Sequence, residues 1–164
     1  MSGALSTTLL WLFVINLGVA FGAGIYEGRI VVADWITSSS DGSIHWNPEA
    51  ARRDNTGLRF WAFVTTGPLT LLTLANLFAA WNAPAPLRRW WLTAASTTLA
   101  ERVFTFSYFI PTMVSLIGRG DSPEAAATAM TWANLNYLRH AIVLVAWVAA
   151  LKAFSLRYQR QGCS

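Results

Sequence analysis

The chain has 164 residues, of which 54% are hydrophobic, 13% aromatic and only 12% charged, with a formal net charge of +4. So few charges exclude an ordinary soluble surface, since soluble domains carry roughly 25% charged residues. The basic residues sit in short clusters beside apolar runs, which excludes nucleic acid as a partner, and the single cysteine, Cys163, excludes an internal disulfide, a CxxC redox centre and thiolate metal cages.

A membrane-spanning helix needs about 20 predominantly apolar residues. The first such run covers about residues 5–27. It lacks a basic n-region and outlasts a signal-peptide h-region, so it is expected to stay on the protein. A polar stretch over residues 37–57 follows, then a second run over 58–81. Pro84 and Pro86 cannot continue a helix and make the next segment a turn. A third run covers 87–117. Ser122, Pro123 and Glu124 then give a cap, a first-turn proline and an acidic first turn, opening a fourth run over 124–156. Stretches such as Leu9–Ile15 and Ala141–Leu151 are apolar on every side, unlike the helices of a soluble bundle. The expectation is an all-α, integral membrane four-helix bundle in one domain. Nine Trp and nine Phe suit the boundary between water and lipid.

Arg88 and Arg89 occupy the short second loop, and Lys152, Arg157 and Arg160 close the chain. Short basic loops stay in the cytoplasm. Both termini are therefore expected there, with the 37–57 loop outside and a bacterial inner membrane as the location. That loop also carries Arg52 and Arg53, but acidic residues are mixed in. It is expected to be a plain solvated connection. The other reading makes Trp35, His45 and Trp46 a lid.

Polar side chains inside spans are costly and mark candidate sites. Asn16, Ala20, Ala23 and Glu27 share one face of the first helix. Gly18, Gly22 and Gly24 flank it and allow close approach of another helix, in this chain or in a second copy. In the third helix Glu101, Thr105, Tyr108 and Thr112 form a similar row, with Arg102 beside Glu101 and Pro111 freeing a carbonyl. In the fourth, Trp132, Asn136 and Arg139 share a face, with His140 next to it. Thr66, Thr70 and Thr73 of the second helix are expected to bond their own backbone around a Gly67–Pro68 kink. No span has a His-rich or Glu-x-x-His pattern, so no metal site is expected.

These rows place Glu27, Glu101, Arg102, Tyr108, Asn136, Arg139 and His140 at the centre of the bundle. Glu27 also reads as an interfacial carboxylate, and Glu101 with Arg102 as a structural ion pair. Acid–base groups in a dry pocket suit proton abstraction from a hydrophobic substrate, and equally a path for a proton or small solute.

Three segments resemble the anthrone oxygenase-like membrane proteins, also described as domain of unknown function 1772. They are Gly24-Ile-Tyr-Glu-Gly-Arg-Ile-Val-Val-Ala-Asp-Trp35, Thr105-Phe-Ser-Tyr-Phe-Ile-Pro-Thr-Met-Val-Ser-Leu116 and Trp132-Ala-Asn-Leu-Asn-Tyr-Leu-Arg139. They come in order from the first, third and fourth helices. The resemblance implies oxidation of a hydrophobic phenolic or polyketide-like molecule by O2 without a bound cofactor. It implies His140 or Glu101 as the base, with Arg139, Arg102 and Tyr108 steadying an oxyanion. Glu27, Asn136, Trp132, Trp35 and Asn16 would then surround the substrate. The alternative is a small transporter or an assembly subunit using its glycine faces.

Overall fold

The structure is a computed structural model that describes residues 3–161, with the side chains of residues 4–159. Cys163 and the side chain of Arg160 lie outside that range. The chain is mostly helical. Helix α1 (Gly3–Tyr26) runs without a break into a π-helical segment (Glu27–Val31) and the short α2 (Val32–Trp35). A second π segment (Gly57–Thr66) leads into α4 (Pro68–Trp81). The third long stretch consists of α5 (Leu87–Phe104), a π segment (Thr105–Phe109) and α6 (Ile110–Ile117), and the fourth is α7 (Pro123–Gln161). The Ser122 hydroxyl caps α7 by accepting the Ala125 N–H at 3.1 Å, with Pro123 in the first turn.

Among the described residues, Ala4–Trp35, Gly57–Trp81 and Pro123–Gln159 are long and apolar enough to cross a membrane. The stretch from Leu87 to Ile117 is equally long, but Glu101, Arg102 and the Ser/Thr run around Ser96 lower its hydropathy. Outward-facing Leu71, Phe78, Trp81, Val145 and Val148 leave a broad apolar exterior, more than a water-facing monomer tolerates.

Residues 36–54 correct the expectation of a solvated loop. Strands β1 (Ile36–Ser38) and β2 (Ile44–Trp46) pair antiparallel, with Thr37 opposite His45. Gly42 takes the positive φ of the turn, 84°, while the Asp41 carboxylate accepts the Ser43 N–H and hydroxyl. Helix α3 (Pro48–Asp54) follows, capped by the Asn47 side chain and ended by Asn55 in the left-handed region. This cap buries Trp35, Trp46, Ala50 and Ala51 against Phe109, Leu116, Ala126 and Trp132. Packing of large apolar groups, which residue composition alone does not reveal, turns a polar stretch into a folded roof.

At the opposite end Arg157 donates to the Thr7 hydroxyl at 3.2 Å, bringing the two ends of the chain together. Leu10, Ala80, Leu87, Trp91 and Ala153 close that end. There the buried Asn76 accepts the Trp91 indole at 2.9 Å and donates to the carbonyls of Leu72 and Leu9, tying α4 to α5 and α1. Between the ends, Phe13, Leu17, Leu69, Ala94 and Ala146 form an apolar core, beside which the buried Thr73 and Thr98 donate to the carbonyls of Leu69 and Ala94. Small residues bring the helices close here: a methyl group on Gly18 would meet the Trp147 ring at 3.0 Å.

Candidate functional site

The cap end encloses a cavity of ≈ 380 Å³ between the first, second and third π segments, α3, α6 and α7. Small-molecule sites occupy roughly 300–1,000 Å³. Trp35, Trp61, Phe109, Met113 and Trp132 supply aromatic and apolar walls, and Glu27 and Arg139 the charge. All three π segments contribute lining residues: Glu27 from the first, Trp61 and Thr65 from the second, Thr105 and Phe109 from the third. Such turns are rare and collect at functional sites, because the wider turn displaces side chains from their α-helical positions.

Arg139 has no hydrogen bond or ion pair among the described residues. Its guanidinium lies 4.6 Å from the centroid of the Phe109 ring and 5.9 Å from that of Trp61. Ring faces hold a cation without consuming its donors, so its N–H groups stay available to a guest. Glu27 is buried at 7% exposure. The Thr56 hydroxyl and the Trp61 indole, at 2.7 Å for the latter, both donate to its Oε1. Its Oε2 accepts no bond among the described residues. The site thus offers one free carboxylate oxygen and one free guanidinium in an aromatic chamber.

The other sequence candidates are placed differently, and the expected single centre divides into three. Glu101 and Arg102 lie behind the chamber wall, at 1% and 4% exposure. Arg102 Nε and Nη2 donate to the two Glu101 oxygens at 2.6 Å each, Thr105 donates to Oε1 at 2.8 Å, and Arg102 Nη1 donates to the Thr65 carbonyl at 3.2 Å. The pair satisfies itself, contrary to the expected roles of Glu101 as base and Arg102 as oxyanion partner. Arg139 does not complete an ion pair with Glu101 or Glu27. Tyr108 stacks on Phe104 at 5.7 Å and meets Phe109 edge-on, outside the chamber. His140 and Asn136 line a separate void of ≈ 20 Å³ on the far side of Glu27. That space is water-sized, and it adjoins the buried, unpaired Asn136 Oδ1. The His140 ring packs so closely on Gly24 that a methyl there would overlap it. Gly18 and Gly24 are therefore both used inside the chain, while Gly22 faces open space.

Asn16 lies below the chamber and donates to the Val64 carbonyl at 2.9 Å. Pro68, four residues on, has no N–H for that carbonyl, and Asn16 supplies a donor in its place. Thr70 and Thr73 bond the carbonyls of Thr66 and Leu69. Near Pro111, the carbonyl that receives a donor is that of Phe109, from the Trp132 indole at 3.2 Å. Trp61 and Thr56, which orient Glu27, escape sequence reasoning. Trp61 reads as an interfacial aromatic at the edge of a span, and Thr56 as part of the polar loop. Among the described residues no three His, Cys, Asp or Glu side chains cluster as metal ligands.

The roof is fastened at several points. Arg52 donates twice to the Ile117 carbonyl, at 2.9 and 2.6 Å, and the Trp46 indole donates to the Leu116 carbonyl at 3.1 Å. The Trp35 indole donates to Asp54 at 2.9 Å, holding that carboxyl below its ordinary range together with Arg53. Asp121, in the α6–α7 turn, pairs with His45 at 2.8 Å and accepts the Trp46 N–H at 2.9 Å. The His45 side chain first, and then that backbone N–H, lowers the Asp121 pKa from 3.8. A carboxyl lowered by folding contributes stability above its unfolded pKa and loses it as pH falls through the folded value. Hydrogen-exchange protection of the Trp46 amide is therefore expected to drop at pH below 3.8. Asp121→Asn should lower it at neutral pH as well. Equal protection in the variant would show that the latch contributes nothing.

Comparison with known proteins returns no matching family model, no curated relative and no similar solved structure.

Proposed function

We propose that this chain is a four-span membrane protein that binds a hydrophobic phenolic or polyketide-like molecule in the cap-end chamber and promotes its oxidation by O2. The observation that carries the reading is the pairing of a free Glu27 Oε2 with a free Arg139 guanidinium in one aromatic cavity. In this reading Leu87–Ile117, the third stretch in chain order, also spans, with Glu101 and Arg102 paired inside the bundle as intramembrane charges must be. The juxtaposed ends then lie in the cytoplasm and the cap outside, with the inner membrane of a bacterium as the setting.

The family resemblance gives the chemistry, and the geometry favours Glu27 over His140 or Glu101 as the base. Glu27 Oε2 takes a proton from the activated methylene of an anthrone-type ring, and Arg139 holds the oxyanion that forms at the ring oxygen. The carbanion passes one electron to O2. The radical pair combines at carbon and yields a hydroperoxide when protonated. Loss of the second C–H proton and cleavage of the O–O bond release water and leave a carbonyl. The balance is one CH2 and one O2 consumed, with one C=O and one H2O formed. Phe109, Trp35 and Trp132 face the planar substrate. A transport path is less well supported, since the Glu101–Arg102 pair underlies the chamber and the buried polar side chains below it, Thr73, Asn76 and Thr98, donate to helix carbonyls.

The test is O2 uptake by the protein in liposomes supplied with an anthrone. Wild type should exceed lipid alone, and Glu27→Gln should lower kcat by roughly 10²- to 10⁴-fold with KM little changed. Uptake no faster than the lipid blank overturns the proposal, and a flavin, haem or metal in the purified protein overturns its cofactor-free form.

A further inference from the structure

The chamber is roofed by the cap and open to the side. Its roof residues Ala51, Asn55, Thr56 and Ile117 are buried or half-buried, and Arg52 clamps α3 onto the end of α6. Its floor is Thr65 and Thr105, with the Glu101–Arg102 pair beneath. Four other lining residues belong to the exterior: Gly57 at the edge of the roof, and the side chains of Leu58, 68% exposed, Val114, 68%, and Ile110, 37%. Side chains that line a cavity and also face outward stand at its mouth. The three side chains are aliphatic, Leu58 on the second π segment and Ile110 and Val114 on α6. Below them α4 packs along α5, but above it the π segment leans on α1 and packing against the third helix thins out. Aliphatic side chains at a mouth disfavour ions and do not hinder hydrocarbon.

We infer that this gap is a lateral portal, through which the chamber is loaded from the lipid phase by an amphiphile whose acidic head pairs with Arg139. The inference rests on the proposed ligand chemistry of the chamber and adds its source. Arg139 supplies the charge complementarity, because no hydrogen bond among the described residues uses its donors. The acyl or ring body lies along Phe109, Trp61 and Met113, and the remainder extends past Leu58 and Val114 into lipid. Substrates of this site are then molecules that partition into membranes, and water-soluble analogues are poor ones.

The test uses the full chain in vesicles of phosphatidylcholine and phosphatidylglycerol containing a fatty acid with a diazirine near its carboxyl group. Illumination should label Trp61 and Met113 inside the chamber as well as Leu71 and Phe78 on the outer face. Arg139→Ala should cut the inside labelling by roughly tenfold, the equivalent of about 1.4 kcal/mol. Leu58→Trp with Val114→Trp should abolish it, with outer labelling and helix content unchanged as the control for folding. Labels confined to the outer face, or inside labelling that survives the double tryptophan variant, overturn the portal. The measurement needs no O2 and no turnover, so it separates the two proposals. A labelled but inactive protein keeps the portal and drops the oxygenase. An active protein labelled only outside does the reverse.

Discussion

Replacing Arg139 with alanine is expected to lower kcat/KM for anthrone-dependent O2 uptake by roughly 10²- to 10³-fold, the usual consequence of losing an oxyanion partner. The fold should barely notice. Among the described residues Arg139 makes no hydrogen bond or ion pair, so its removal orphans none of them, and the contacts with the Phe109 and Trp61 rings are lost. Those are worth about 0.5–2 kcal/mol, offset by relief from holding a lone cation in an apolar wall. Arg139→Lys keeps the charge but not the planar fork, so it should recover part of the activity. The readouts are steady-state O2 uptake and thermal melting of the same preparation. A folded Arg139→Ala protein with wild-type kcat/KM would remove the residue from the site.

Glu101→Ala should show the opposite pattern. It strands Arg102, which is 4% exposed and gives two of its donors to that carboxylate. Breaking a buried ion pair by deleting one partner costs about 3–5 kcal/mol, whereas replacing both partners with apolar groups of similar size is often close to neutral. The double variant Glu101→Leu, Arg102→Met should therefore recover most of the stability. If the pair is structural, it should also keep O2 uptake. Denaturation midpoints in lipid nanodiscs measure the first point and the O2 electrode the second. A stable double variant with no activity would return Glu101 to the list of catalytic groups.

Much of the helical frame is legible without coordinates. Apolar runs end where Pro84, Pro86 and Pro123 and the polar loop stand, and the long helices begin and end within a few residues of those points. The Ser122 cap and the Thr70 and Thr73 backbone bonds also follow from local chemistry. Helical spacing on the first and fourth helices singles out Glu27, Trp132 and Arg139, which line the chamber, but also Asn16 and Asn136, which do not. It fails where the helix is not α-helical. The π segments shift the side chains that follow them, so a 3.6-residue count groups Tyr108 with Glu101, although it stacks outside the chamber on Phe104. No pattern of residue types marks a π turn in advance, because it is retained by contacts with distant elements.

The folded cap was equally illegible. Residues 37–57 are polar on average, and average polarity suggests solvent. Two tryptophans and a pair of alanines decide otherwise once Phe109, Leu116 and the start of α7 lie within reach.

The sequence by itself determined that this protein is mostly helical, that at least three of its helices suit a membrane, and that a few ionisable groups lie among apolar ones. Those properties depend on composition and on local backbone chemistry, which neighbours along the chain settle. Only the tertiary structure decided which charges are already paired. A carboxylate and a guanidinium attract through space, so Glu101 is occupied by Arg102 and by Thr105 one turn on, while Arg139 is left free by helices that come together only on folding.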